Sequence, residues 1–195
     1  MTAGAVPETR GRPQETLVER FRAALTANSA QVHGPLAVEA AVDAAVELAL
    51  QRTAGRPVAV ATGDPVLAPL DLPSRLRAAG ADVLLPGDAG FSSGLAGAGA
   101  GLTGSIFGLA ATGTVGVSCG PGAPRAVSLL PPAHVCLLRA ADLVEDLAEA
   151  LGRLSSLPSA LTWVSGPSRS ADLEMTLTLG VHGPASLDVV ILHAE

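Results

Sequence analysis

The chain has 195 residues, of which 48% are hydrophobic and 2% aromatic, and its formal net charge is -6. This length and apolar content suit one globular unit with an ample core. The acidic balance argues against nucleic-acid binding, and the scarcity of aromatic rings removes the stacking surfaces that single-strand binders use. All basic residues are arginine, which excludes a lysine Schiff base and a P-loop lysine.

The two cysteines, Cys119 and Cys136, lie far apart and belong to no Cys-x-x-Cys pair with histidine at ligand spacing. This pattern argues against a zinc or iron–sulfur site, so we expect no metal and no cofactor on this chain. Residues 1–15 lack the apolar core of a signal peptide, and acidic residues interrupt the apolar run 36–50. We therefore expect a cytoplasmic protein without a membrane span.

Residues 1–13 are predicted to be a flexible N-terminus, and residues 14–55 an N-terminal helical segment. Its first helix follows Pro13, and its second starts near Pro35 and ends at Gly55. The apolar faces that support these helices are Leu17, Phe21 and Leu25 for the first, and Val38, Val42, Val46 and Ala49 for the second.

Residues 56–195 alternate between strand-like and helical patterns, which predicts an open α/β domain with a largely parallel sheet. The stretch 86–100 is read as a long loop because it is mostly glycine, alanine and serine. The stretch 170–179 alternates like a strand but has caps typical of a helix, and helix is preferred. Strands are predicted over 58–61, 81–86, 112–119, 133–138, 161–165 and 186–194, and helices over 72–79 and 142–154.

Two short motifs match known functional patterns, but the sequence around each of them argues against that function. The glycines at 99, 101 and 104 match a dinucleotide-binding pattern, but no strand runs directly into them and no acidic residue follows at the required distance. Gly116, Ser118 and Gly120 match the nucleophile elbow of serine hydrolases, with Asp172 and His182 following in hydrolase order. An elbow must lead straight into a helix, and the glycine–proline run 120–124 cannot form one.

A third group of residues has the features of an anion-binding site. The loop 166–170 follows a predicted strand and combines freed backbone amides, two hydroxyls and a guanidinium, which together suit a phosphate or carboxylate. The alternative is an ordinary capped turn in which Arg169 pairs with Asp172 or Glu174. The turn 112–114 offers similar groups, and Arg125 offers a second positive charge. The predicted ligand-binding residues are Thr112, Gly113, Thr114, Arg125, Gly166, Pro167, Ser168, Arg169, Ser170 and Asp172.

Three segments carry a resemblance to a known family: GLTGSIFGLAATGTVGV at 101–117, GPGAPRAVSLLPPAHV at 120–135 and GPSRSADLEMTLTLGVHGP at 166–184. In order and spacing they resemble the LUD domain of the lactate utilisation protein C (LutC/YkgG) family, over about 57–192. The resemblance implies a Rossmann-like α/β sheet similar to the NagB/RpiA/CoA-transferase-like group. It also implies a role in oxidising lactate to pyruvate, alongside partner proteins that carry iron–sulfur clusters.

The chain departs from the family pattern at two positions. Where the family often has acidic residues, this chain has Ile106 and Ala111. A carboxylate for acid–base or nucleophilic chemistry is therefore missing at those positions. The remaining acid–base candidates are His182, Glu174, Asp172 and His134. Of these, His134 stands at the start of a strand that is predicted to be buried. A satisfied core or turn histidine is the preferred reading of His134.

Two functions follow from these observations. The first is a subunit or accessory protein of a lactate-oxidising system, which binds a small anionic ligand through the two loops and works with iron–sulfur partner proteins. The alternative is a stand-alone enzyme that acts on a phosphorylated or CoA-linked small molecule. Turnover of such a ligand by the isolated chain would separate the second function from the first.

Overall fold

The computed structural model describes residues 13–156, 158–171, 177–179 and 182–193. In chain order its elements are α1 (Gln14–Ala27), β1 (Gln31–Leu36), α2 (Val38–Thr53), β2 (Val58–Val60), α3 (Leu72–Ala78), β3 (Val83–Leu84), α4 (Phe91–Gly94), β4 (Ala100–Ser105), β5 (Phe107–Leu109), β6 (Thr114–Cys119), β7 (Ala133–Arg139), β8 (Leu143–Val144), α5 (Leu147–Arg153), β9 (Ala160–Val164), β10 (Arg169–Ala171), β11 (Leu177–Leu179) and β12 (Ser186–Leu192).

The central sheet has six strands in the order β1-β12-β7-β4-β2-β3, and every neighbouring pair is parallel. A smaller sheet of mixed direction has the order β8-β5-β6-β9, and β10 pairs with β11 in antiparallel fashion. The predicted α/β class with a largely parallel sheet is confirmed. Among the described residues, no helix combines the length and apolar content that crossing a bilayer would require.

Two apolar layers cover the central sheet, one on each face. Alternate residues of β12 show the division, because Val190 and Leu192 pack with α2 and α3, whereas Val189 and Ile191 pack with α1 and the smaller sheet. The predicted apolar face of α1 is confirmed, since Leu17, Phe21 and Leu25 are all buried. On α2 the buried face is Ala41, Val42, Ala45 and Ala49, while Val38 is 37% exposed.

Strand β1 was not predicted. The second helix was expected to begin near Pro35, but Pro35 lies inside this strand and α2 begins at Val38. A proline is tolerated there because β1 is at the edge of the sheet and pairs only with β12. The segment 14–55 therefore contains a strand of the central sheet as well as two helices.

Strand β4 was also missed, at the end of the stretch expected to be a loop. The sequence Ala-Gly-Leu-Thr-Gly-Ser has a single large apolar side chain, yet all six residues are buried between β2 and β7. Small side chains suit a strand whose two faces are closely covered, so apolar patterning cannot reveal it. The same stretch also contains the short helix α4.

The helix predicted over 142–154 begins later than expected. The Asp146 side chain accepts a hydrogen bond from the backbone N–H of Glu149 at 3.0 Å, which caps α5 and fixes its start. Leu143 lies instead in β8, where it is buried and pairs with β5. Leu147 and Leu151 are 45% and 46% exposed, so the expected three-leucine face does not form.

The helix preferred over 170–179 is wrong for the residues that the structure describes. Arg169–Ala171 and Leu177–Leu179 form the antiparallel pair β10–β11, with Ser170 opposite Thr178. The alternating apolar residues and a threonine, which both favour a strand, outweighed the residues typical of helix caps at the two ends of this stretch. The loop that begins at Gly166 therefore leads into a strand, and the helix N-terminus that was expected to bind an anion is not present there.

Candidate functional site

The two predicted loops meet in the structure. The Thr112 and Thr114 hydroxyls lie 2.7 Å apart, and the Thr114 hydroxyl lies 2.7 Å from that of Ser165. This chain of three hydroxyls joins the turn before β6 to the residue that follows β9. Because β6 and β9 are antiparallel neighbours, the start of one strand lies beside the end of the other. The 112–114 turn and the 165–168 loop therefore form one structural unit.

The C-terminal end of α1 fixes this unit from outside. Gly113 has a φ of +61°, and a Cβ there would lie 2.2 Å from the backbone nitrogen of Leu25. Gly166 has a φ of +144°, and a Cβ there would lie 2.5 Å from the carbonyl oxygen of Asn28. Only glycine allows both the left-handed backbone and this approach. The Asn28 amide also donates to the carbonyl oxygen of Thr112 at 3.2 Å.

Two cavities lie on either side of the 165–168 loop. The inner cavity, of about 220 Å³, lies at the amino ends of β7 and β12, and the outer cavity, of about 240 Å³, lies beside the end of α1. The inner cavity is lined by Ser128, Leu129, His134, Thr162, Trp163, Val164, Ser165, Gly166, Ser168, His182, Gly183, Pro184 and Leu187. The outer cavity is lined by Asn28, Ser165, Gly166, Pro167 and Arg169.

Ser168 and Arg169, which were expected to share one anion site, line different cavities. Ser168 belongs to the inner cavity, and its backbone N–H donates to the carbonyl oxygen of Pro184 at 2.8 Å. Arg169 lines the outer cavity, where its guanidinium donates to the Ser29 hydroxyl at 2.8 Å. Successive side chains of an extended segment point in opposite directions, which explains the separation.

His134 lies on β7 at the floor of the inner cavity. Its side chain is fully buried, and its Nε2 lies 2.8 Å from the Thr103 hydroxyl on β4. Its Nδ1 is buried and has no hydrogen-bond partner among the residues that the structure describes. Burial lowers the pKa of His134 to about 4, so the imidazole is neutral at physiological pH. The sequence marked His134 correctly as buried, but nothing in it indicated that a polar cavity adjoins the ring.

His182 lies at the inner cavity and is exposed. The bond between Ser168 and Pro184 ties this turn to the 165–168 loop. Trp163 lines the cavity from β9 and packs against Gly116, where a Cβ would lie 2.8 Å from the indole ring. The inner cavity is thus lined by side chains from segments that are widely separated in sequence.

Four other predicted site residues lie elsewhere in the structure or outside the described residues. Arg125 is exposed in the short 3-10 turn Arg125–Ser128, and it lines neither cavity, although Ser128 lines the inner one. Ser170 lies in β10, opposite Thr178. Asp172 and Glu174 fall outside the described residues.

A larger cavity lies away from the predicted loops. It has a volume of about 800 Å³ and is lined mainly by α1, with Ala140, Ala141 and His193 near the carboxyl ends of β7 and β12. Arg22 also lines this cavity, and its guanidinium donates to the carbonyl oxygens of Val32 and Gly34. This arginine therefore holds β1 in place, and the remaining charged lining residues, Glu15 and Glu19, would repel an anion.

The inner cavity offers hydroxyl and imidazole groups over an otherwise largely apolar wall. Among its described lining residues none is arginine, aspartate or glutamate. Within the described parts of the chain, no group of three or more histidine, cysteine, aspartate or glutamate residues could hold a metal ion. These groups can hydrogen-bond a small polar molecule, and they suit binding and orientation better than general acid–base catalysis by a carboxylate.

Comparison with known sequences finds relatives that match part of this chain. The chain is 38% identical over 97 residues to an uncharacterized protein of Neisseria meningitidis serogroup B, a match that covers 48% of this chain and 41% of that protein. It is 40% identical over 91 residues to lactate utilization protein C of Halalkalibacterium halodurans (43% and 40%). It is 38% identical over 80 residues to the protein of the same name from an Exiguobacterium species (37% and 35%). The matched segments thus span well under half of these relatives.

A comparison of structures identifies the same fold. The crystal structure of a DUF162 family protein from Deinococcus radiodurans superposes with a TM-score of 0.60 and 24% sequence identity, covering 93% of this chain and 99% of that one. The sequence model of the LUD domain family matches residues 18–192, which include most of α1, all of β1 and α2, and both loops. The resemblance found in the sequence is confirmed, and the chain belongs to the LUD domain family.

Proposed function

We propose that this chain takes part in the oxidation of lactate to pyruvate, as a subunit that binds a small anionic ligand. Relatives that share segments of 80 and 91 residues with it are named lactate utilization protein C. Removal of two electrons from lactate requires an acceptor, and in this proposal iron–sulfur clusters on separate partner proteins supply it. The chain itself contributes the binding site.

The observation that carries the proposal is the hydroxyl contact between the two glycine-rich loops, of which the 165–168 loop lines the inner cavity. Ser165 and Ser168 line it from one loop, and the Thr114 hydroxyl holds Ser165 in place from the other. Hydroxyls fixed by neighbouring hydroxyls are preorganised to bind a polar ligand, because little rotamer entropy remains to be lost. The exposed ring of His182 completes the polar lining toward solvent.

The size of the cavity favours a small acid over a CoA-linked substrate. Drug-sized ligands occupy roughly 300–1,000 Å³, and the inner cavity has about 220 Å³. A three-carbon acid fits within this volume, whereas a CoA ester would extend far beyond it. A stand-alone enzyme acting on a CoA-linked molecule, which is one form of the alternative function, would therefore use little of this cavity.

The proposal predicts that Thr114→Val impairs lactate oxidation. Valine keeps the shape of threonine but removes the hydroxyl that positions Ser165. A lost hydrogen bond of about 1.4 kcal/mol corresponds to roughly a tenfold decrease in lactate-dependent respiration. The measurement is oxygen uptake on lactate by a host strain that lacks this chain and carries either the wild type or the variant.

Ser93→Ala provides the matched control, because it removes the hydroxyl of an exposed serine on α4 that donates to the nearby carbonyl oxygen of Gly90. Respiration with this variant should equal that with the wild type. Equal respiration with Thr114→Val, or normal growth on lactate without the chain, would contradict the proposal. Turnover of a CoA ester by the isolated chain would instead favour the alternative.

A further inference from the structure

We infer that His134 recognises the ligand, and that its Nδ1 hydrogen-bonds the neutral 2-hydroxyl or 2-oxo oxygen of a short acid whose carboxylate faces the mouth of the inner cavity. This inference rests on the proposed function for the class of ligand. It assigns the residue and the orientation from the cavity itself.

The first observation is an unpaired nitrogen in a polar cavity. The side chain of His134 has no exposed surface, and among the described residues its Nδ1 has no hydrogen-bond partner. A buried polar atom left unpaired costs about 1–3 kcal/mol, so a native structure seldom keeps one without a use. Nε2 is engaged by Thr103 on β4, and the ring borders the inner cavity. A ligand that enters this cavity and displaces the side chains covering Nδ1 supplies the missing partner.

The second observation concerns charge and sets the orientation. The described lining of the inner cavity contains no arginine, and the neutral imidazole at its floor cannot compensate a carboxylate. Burying an unpaired carboxylate is far more costly than burying a hydroxyl or a carbonyl oxygen. The carboxylate of the ligand therefore stays at the mouth, near Ser165, Ser168 and the exposed ring of His182.

The third observation explains how one histidine can serve both a hydroxy acid and an oxo acid. A threonine hydroxyl can donate or accept, so Thr103 is compatible with either neutral tautomer of His134. When Thr103 donates to Nε2, Nδ1 carries the proton and donates to a 2-oxo oxygen. When Nε2 donates to Thr103, Nδ1 accepts from a 2-hydroxyl group.

Binding can be measured through Trp163, which is the single tryptophan of the chain and lines the same cavity. Fluorescence titrations with L-lactate, pyruvate and propionate test the inference directly, because propionate keeps the carboxylate and carbon skeleton but lacks the 2-oxygen. We expect lactate and pyruvate to bind at least roughly tenfold more tightly than propionate, as one hydrogen bond to a buried nitrogen allows.

Two variants separate the roles of the ring nitrogens. His134→Asn keeps a polar atom near the position of Nδ1, whereas His134→Gln keeps one near Nε2 and its partner Thr103. The preference for lactate over propionate should persist in part with asparagine and be lost with glutamine. Circular dichroism melting curves of both variants establish that the proteins are folded under the conditions of the titration.

Imidazole nitrogen NMR gives an independent readout, because the chain has only four histidines. Lactate should shift the Nδ1 resonance of His134 and leave that of His33 unchanged, since His33 bonds Asp188 on β12. Equal affinity for lactate and propionate in the wild type, or an unmoved Nδ1 resonance at saturation, would overturn the inference. Either result would leave the respiration test of the proposed function unaffected, so the two can fail separately.

Discussion

Replacing Gly113 by alanine is expected to lower the free energy of unfolding by roughly 3 kcal/mol. The left-handed backbone at this position costs alanine about 1 kcal/mol or more. The added Cβ would also lie 2.2 Å from the backbone nitrogen of Leu25, and a backbone atom inside a helix cannot move aside alone. The variant must therefore push the end of α1 away from the 112–114 turn, which urea unfolding would detect.

Gly152→Ala is the matched control for this substitution. Gly152 lies in α5, its backbone is helical, and a Cβ there would meet nothing within 4 Å. Because alanine is the better helix former, this variant should be as stable as the wild type or more stable by up to about 1 kcal/mol. An unfolding free energy for Gly113→Ala that matches the control would mean that α1 does not press on the turn.

A second large effect is expected from acid, through His134. The pKa of this histidine is about 4 in the folded chain, against 6.5 for the free side chain. Above pH 6.5 the ring is neutral in both states, and its contribution to stability is fully present. As the pH falls from 6.5 to 4 the unfolded chain takes up the proton first, so this contribution is lost. The difference corresponds to about 3 kcal/mol at 1.36 kcal/mol per pKa unit.

His134→Gln isolates this effect from the other groups that titrate in acid. Asp64 acts in the opposite direction, because burial raises its pKa and favours the folded state at low pH. The quantity to measure is therefore the difference in unfolding free energy between the wild type and the variant. It should decrease by about 3 kcal/mol between pH 6.5 and pH 4, and a difference that does not change with pH would contradict the burial of a neutral ring.

The parts of the fold that the sequence predicted well are those where apolar side chains recur with one period. The first helix, with Leu17, Phe21 and Leu25, and the strand Ala133–Arg139 both have strong patterns of this kind. Strand β4 lacks such a pattern, because its burial depends on how closely β2 and β7 approach small side chains. Strand β1 could not be foreseen either, since only its pairing with the distant β12 makes Gln31–Leu36 extended.

The candidate site, like the fold, could be predicted from the sequence only in part. Glycine at 113 and at 166 meets a local backbone requirement, so the sequence indicated two turns, whereas the contact between them is seen only in the structure. The assignment of Arg169 and Ser168 to different cavities depends on the strand β10, which the sequence did not favour. The unpaired nitrogen of His134 is a purely three-dimensional property, since it depends on which neighbour reaches which side of the ring.

The position of β12 has a consequence for the order in which the chain folds. Strands β1 and β12 are far apart in sequence, yet β12 lies between β1 and β7 and is, among the described strands, the only sheet partner of β1. Strand β1 therefore cannot join the sheet until β12 has been synthesised. Such non-local pairing is slow to form and leaves an unpaired strand during translation. Truncation within β12 would thus remove the one described strand that attaches β1 to the sheet.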